Sequence, residues 1–194
     1  MGILVDGLPK AILIDDKDYK INADYQSAIR IINAFEDKNL LDQEKAYILI
    51  ELLYKEQPHN IEMAVKKGIQ FLDCGDANNN EGGGQNEGRR YSFKHDEKYI
   101  FAGVNKVLNS RLSKGEFVHW WEFVMAFMEL PEDCLMSRII YFRTQYAKGK
   151  LSREEKLLYV KNKSIFQLPE ELDNEEEALK DKFMEKIIGK TPVE

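Results

Sequence analysis

The chain has 194 residues, 43% apolar and 32% charged, which supports a packed core and argues against global disorder. A net charge of −6 and a pI near 5.3 argue against a nucleic-acid or anionic-membrane binder that works by bulk attraction. Nine acids against four lysines fall in residues 169–194, so the acidity belongs to that tail and the body is close to neutral.

The longest uninterrupted apolar run, Phe123–Met128, is six residues; a membrane-spanning helix needs roughly 20. Asp6 and Pro9 interrupt the apolar start Gly2-Ile3-Leu4-Val5 before a signal-peptide core can form. A cytoplasmic protein with two free thiols, Cys74 and Cys134, is expected.

Residues 11–21 alternate as a hairpin, Ile12 and Ile14 against Tyr19 and Ile21, with Asp15-Asp16-Lys17 as the turn. Asp24 is placed to cap a helix carrying Tyr25, Ala28, Ile29, Ile32 and Phe35. Asp42 is placed to cap a second, apolar on nearly every side from Ala46 to Tyr54, which predicts burial among other helices. After Pro58 a third helix presents Ile61, Val65, Ile69 and Leu72. Residues 75–88, rich in Gly and Asn with one alanine as the sole apolar side chain, predict a flexible loop. Its glycines lack the Gly-Lys-Ser/Thr continuation of a phosphate cradle.

Three further helices are predicted, at about 94–109, 115–130 and 132–146, the last stopping near Gly149. Ser152 and Glu155 form a capping box for a short helix with Leu157, Leu158 and Tyr159. From Pro169 a charged helix carries Leu179, Phe183, Ile187 and Ile188 on a narrow stripe. The prediction is a mainly α fold: one helical domain over 1–168 with a short N-terminal β-hairpin, then an acidic helical tail over 169–194.

Glu116 and His119 make a Glu-x-x-His of the type that di-iron bundles use in duplicate. The second copy, Glu56 to His59, is broken by Pro58, so a metal-dependent enzyme is the minor reading. Placed on one helix, Glu116, His119, Glu122 and Glu129 form a polar stripe, with His119 facing solvent or a neighbouring chain beside Glu122. His95-Asp96 opens a helix, with Asp96 suited to its positive end. No nucleophile motif, zinc-protease motif or dinucleotide fingerprint is present, and no catalytic residue, metal or cofactor is assigned. Arg89-Arg90 is the best basic cluster, too little for a helix-turn-helix regulator.

The densest feature is aromatic. Phe117, Trp120, Trp121, Phe123 and Phe127 fall within about three turns and are the candidate partner-binding residues. About 100° separates successive helical residues, so Trp120 and Trp121 are expected to address different neighbours.

In order along the chain come Tyr19-Lys20-Ile21-Asn22-x-Asp24-Tyr25, Glu44-Lys45, Leu52-Leu53-Tyr54, Tyr91-Ser92-Phe93-x-His95-Asp96-x-x-Tyr99-Ile100, His119-Trp120-Trp121-x-Phe123, Ile139-Ile140-Tyr141-x-Arg143 and Tyr159-x-Lys161. In these pieces the sequence resembles a family from tailed phages and prophages of Gram-positive bacteria, whose members look like tail assembly chaperones encoded ahead of the tape measure gene. The Gly/Asn loop is longer than that resemblance leads one to expect, and the tail after 169 lies outside it. The resemblance implies a non-enzymatic chaperone in the host cytoplasm, absent from the mature virion. It would cover apolar helical segments of the tape measure protein until tail tube subunits displace it, with the tail tube protein and a second copy as further candidate partners. The alternative of another class is a structural tail or connector subunit retained in the virion.

Overall fold

A computed structural model describes residues 3–75 and 90–168. The architecture is mainly α. In chain order come α1 (Ile3–Asp6), β1 (Ala11–Ile14), β2 (Lys17–Lys20), α2 (Tyr25–Glu36), α3 (Asp42–Leu53), α4 (Ile61–Leu72), α5 (Glu97–Val107), α6 (Trp120–Met128), α7 (Leu135–Ala147), α8 (Arg153–Lys161) and α9 (Lys163–Phe166). Most of the Gly/Asn stretch and the charged helix expected after Pro169 lie outside the described residues.

The antiparallel hairpin pairs Ile12 with Tyr19 and Ile14 with Lys17. Asp15 and Asp16 both take positive φ, 45° and 65°, as a two-residue hairpin turn requires. Strand alternation then buries Ile12, Ile14 and Tyr19 on one face. That face meets α4, and the chain leaving β2 is stitched to the end of α3: Asn22 N–H donates to Leu53 O (2.7 Å) and Lys55 N–H to Lys20 O (3.0 Å).

Asp24 caps α2 as expected, accepting from Ser27 N–H. The second helix starts one residue earlier than expected. Leu41 is its cap residue, and the Glu44 carboxylate accepts from Leu41 N–H. Helix α3 is also not enclosed all round, because Tyr47 is exposed while Leu49, Ile50 and Leu53 are buried.

The third helix turns a different face inward. Ala64, Gly68 and Phe71 are buried, whereas Ile61 and Ile69 are exposed. Small residues let α3 approach closely: a Cβ on Gly68 would lie 2.7 Å from a Leu49 methyl. The α3–α4 crossing therefore selects the small-residue face over the larger apolar stripe.

In the second half, α5 packs on α6 and α7, and α8 and α9 fold back on α7. Tyr146 stacks on Tyr159 (4.3 Å between centroids), which stacks on Phe166 (5.5 Å). Helix α8 carries the expected capping box. The buried apolar residues of both halves form one continuous core.

Candidate functional site

The helix expected from residue 115 starts at Trp120, and this reorganises its polar residues. His119 is extended and bridges Asp24: Tyr25 N–H donates to Val118 O (3.1 Å) and Trp120 N–H to Ala23 O (2.7 Å). The caps of α2 and α6, Asp24 and His119, thus lie opposite each other in an antiparallel bridge.

His119 is buried, so the expected solvent-facing stripe does not exist. Its Nδ1 accepts from Trp121 N–H (3.1 Å) and its Nε2 donates to Pro9 O (2.9 Å). Those two bonds define the neutral tautomer, and burial lowers the pKa against a smaller opposing effect of the Pro9 bond. Both ring nitrogens are occupied. Glu116 and Glu122 instead pair with Arg111, whose second terminal nitrogen donates to Phe117 O (2.7 Å). Among the described residues no group of three His, Cys, Asp or Glu is placed to hold a metal.

The two tryptophans do address one neighbour. Trp120 Nε1–H donates to Leu72 O (2.9 Å) and Trp121 Nε1–H to Phe71 O (2.8 Å), successive carbonyls at the end of α4. Successive carbonyls are themselves rotated about 100° around their helix, so two divergent indoles meet two divergent acceptors. The rest of that helix end closes through Cys74, in the left-handed region at φ 57°, and Gly75. Cys74 N–H donates to Phe71 O and Gly75 N–H to Gln70 O, with Asp73 N–H on Ile69 O. All four terminal carbonyls of α4 are satisfied. Gly75, expected in the flexible loop, belongs to this helix end, and a Cβ there would sit 3.3 Å from the Trp121 ring.

The five candidate aromatics divide by environment. Trp120 and Phe123, each 2% exposed, stack on each other at 5.8 Å, and Tyr25 stacks on Phe123 at 5.0 Å. These two are core residues, closed to a partner in this conformation. Trp121 is half-buried against Phe71. Phe117, 64% exposed, stands apart on the segment before α6. Phe127 is half-buried and packs against Tyr91 (4.9 Å).

Phe127 opens onto an apolar groove of about 380 Å³. Helix α6 contributes Val124, Phe127 and Met128, α7 contributes Ser137 and Ile140, and Tyr91 and Leu130 complete it. Met128 is 75% exposed at the rim. Hydroxyls of Ser137 and Tyr91 are the polar side-chain groups of the lining, which holds no charged residue, so the groove suits an apolar side chain or helix face rather than a charged metabolite.

Arg143 fixes the chain around this groove. Its Nη1 and Nη2 donate to the two Asp96 oxygens at 2.6 and 2.9 Å. Nη1 also reaches Arg90 O (3.0 Å), Nη2 reaches Ile165 O (3.2 Å), and Nε donates to Phe166 O (2.7 Å). All five guanidinium N–H groups are used. Asp96 occupies the cap position of α5 without bonding that helix's N–H groups; it also accepts from Ser92 N–H (2.9 Å). Its partner is a buried cation rather than the helix dipole.

A family model described as Bacteriophage Gp15 protein matches residues 4–168. The chain belongs to the Bacteriophage Gp15 protein family. No curated protein and no solved structure matches it. The matched span includes the paired caps, both indole contacts, the Arg143 node and every residue lining the groove, and it ends at Leu168, where the described residues also end.

Sequence reasoning found Phe127 but missed Tyr91, Met128, Leu130 and Ile140 as its neighbours in the groove. Their signal was faint, since isolated apolar residues on α6 and α7 read as core. Arg143 gave more notice, as a cation directly after the apolar run Ile139-Ile140-Tyr141-Phe142.

Proposed function

We propose that this phage protein is a non-enzymatic tail assembly chaperone acting in the host cytoplasm. It holds apolar helical segments of the tape measure protein in the groove between α6 and α7. The observation that carries the reading is the groove itself, open, apolar and rimmed by Phe127 and the exposed Met128, in a chain of a phage family. A long helical partner with unburied apolar faces aggregates unless those faces are covered. A groove of this size takes one or two side chains at a time, so binding is weak per site and repeated along the partner. Tail tube subunits assembling on the same faces would then displace it, leaving it out of the mature particle.

The test is co-expression of the full chain with tape measure segments, scored by solubility and co-elution. Wild type is expected to keep the segment soluble, and Met128→Asp to lose it while retaining its circular dichroism spectrum and unfolding midpoint. Segments that stay insoluble with wild type, or are rescued equally by Met128→Asp, overturn the reading.

A further inference from the structure

The two halves of the body present outward helix faces of opposite charge. Residues 36–51, the end of α2 and most of α3, carry five acids and two lysines, a net −3. Residues 148–163, which include α8, carry six cations and two acids, a net +4. Each stretch also exposes apolar side chains. Tyr47 on α3 is 64% exposed, and Leu157 and Val160 on α8 are 67% and 60% exposed.

The patterns on the two helices are complementary. Leu49, Ile50 and Leu53 turn inward from α3, so Glu44, Tyr47 and Glu51 fall on its outward face. Tyr159 turns inward from α8, so Arg153, Leu157 and Lys161, four residues apart, form its outward stripe. One helix reads anion, aromatic, anion; the other reads cation, aliphatic, cation. The like charges stand roughly 10 Å apart along α3 and roughly 12 Å apart along α8, a difference that the long Arg153 and Lys161 side chains absorb. Among the described residues, Glu51, Arg153 and Lys161 have no ion-pair partner. The two stripes do not meet within one chain, because α3 packs on α2 and α4, and α8 on α7 and α9, with Tyr47 and Leu157 left facing outward.

We infer that the α8 stripe of one copy docks on the α3 stripe of a second copy, seating Leu157 against Tyr47 with Arg153 and Lys161 opposite Glu44 and Glu51. Burial of Leu157 and Tyr47 supplies the attraction. The opposed charges set register and partner, since exposed ion pairs add little affinity of their own. One helix pair is a small interface, so the association is weak and depends on concentration. No groove-lining residue lies on α3 or α8, so each joined copy keeps its groove lining, and the inference does not rest on what occupies the groove.

The test is sedimentation velocity of the full chain over a range of concentrations, at low sodium chloride and at about 1 M, where the screening length falls to about 3 Å. Wild type is expected to rise from the 22.6 kDa monomer to at least twice that mass at low salt, and to fall back toward the monomer at high salt. Tyr47→Ser/Glu51→Gln and Leu157→Ser/Lys161→Gln each lack one of the two faces, so each is expected to stay monomeric alone. An equimolar mixture of the two is expected to recover a dimer through the remaining intact pair of faces. All four side chains are exposed, and circular dichroism checks that both variants fold. A wild-type monomer at every concentration overturns the inference. So does association that either double substitution leaves unchanged, and so do two monomeric variants that stay apart when mixed.

Discussion

Arg143 and Asp96 form a two-point ion pair whose side chains are 2% and 0% exposed, joining α7 to the start of α5. Removing one partner leaves the other charge buried without compensation, which costs about 3–5 kcal/mol. Arg143→Met also strands the carbonyls of Arg90, Ile165 and Phe166. Urea unfolding should show Arg143→Met and Asp96→Ala each losing stability on that scale. The double variant should lose much less than the sum, because neither charge then remains unpaired. Additive losses would mean that the two groups act independently.

His119 predicts a pH dependence with a definite sign. Its folded-state pKa lies below the ordinary value of 6.5, chiefly through burial. As pH falls below about 6.5, the unfolded chain takes up a proton that the folded chain refuses. The contribution of His119 to stability is therefore complete above that pH and is lost as pH falls toward the lowered pKa. Protonation at Nδ1 would also remove the acceptor for Trp121 N–H. Asn caps helices well and does not titrate. Denaturation midpoints of wild type and His119→Asn, followed from pH 8 to pH 5, should diverge only in the acidic half, with wild type falling faster.

The two indoles should differ in worth although they lie side by side. Phe71 O keeps Cys74 N–H as a donor when Trp121 is changed, whereas Leu72 O has Trp120 Nε1–H as its described donor. Trp120→Phe should therefore cost about 1–3 kcal/mol for an unsatisfied carbonyl, in addition to lost packing. Trp121→Phe should fall nearer 1 kcal/mol. Equal losses in thermal unfolding would refute this accounting.

Gly68→Ala should destabilise the chain although alanine favours helices. The added methyl meets Leu49 at 2.7 Å and Leu53 at 3.0 Å, both buried side chains. Overpacking of this kind costs typically about 1–3 kcal/mol, and Leu49→Ala in the same chain should recover part of it. No recovery would place the strain elsewhere.

The hairpin, the Asp24 cap and the Ser152 capping box were legible in the sequence because their causes are local: two turn aspartates, or an oxygen-bearing residue three positions before its partner. The start of α6 was not legible. Residues 115–119 carry a helical pattern, but the bridge of His119 to Asp24, 95 residues earlier, holds His119 extended and delays the helix to Trp120. The same long-range contact turned His119 from an expected surface group into a buried cap. Four of the five aromatic candidates read correctly as belonging to one helix. Which of them reach a surface depends on where α5, α4 and α7 land, and no local pattern carries that information.

The joints between the two described segments, 3–75 and 90–168, include main-chain pairing at 23–25, two indoles on the end of α4, the His119 bond to Pro9, and the packing of Tyr25 on Phe123. None of these joints needs the peptide bonds of residues 76–89. Lengthening that connection raises the closure entropy only slowly, by about 0.6 kcal/mol for each doubling. The chain is therefore suited to being cut there and rejoined from two separately made pieces, and to carrying an inserted reporter at that position without disturbing the groove on its other half.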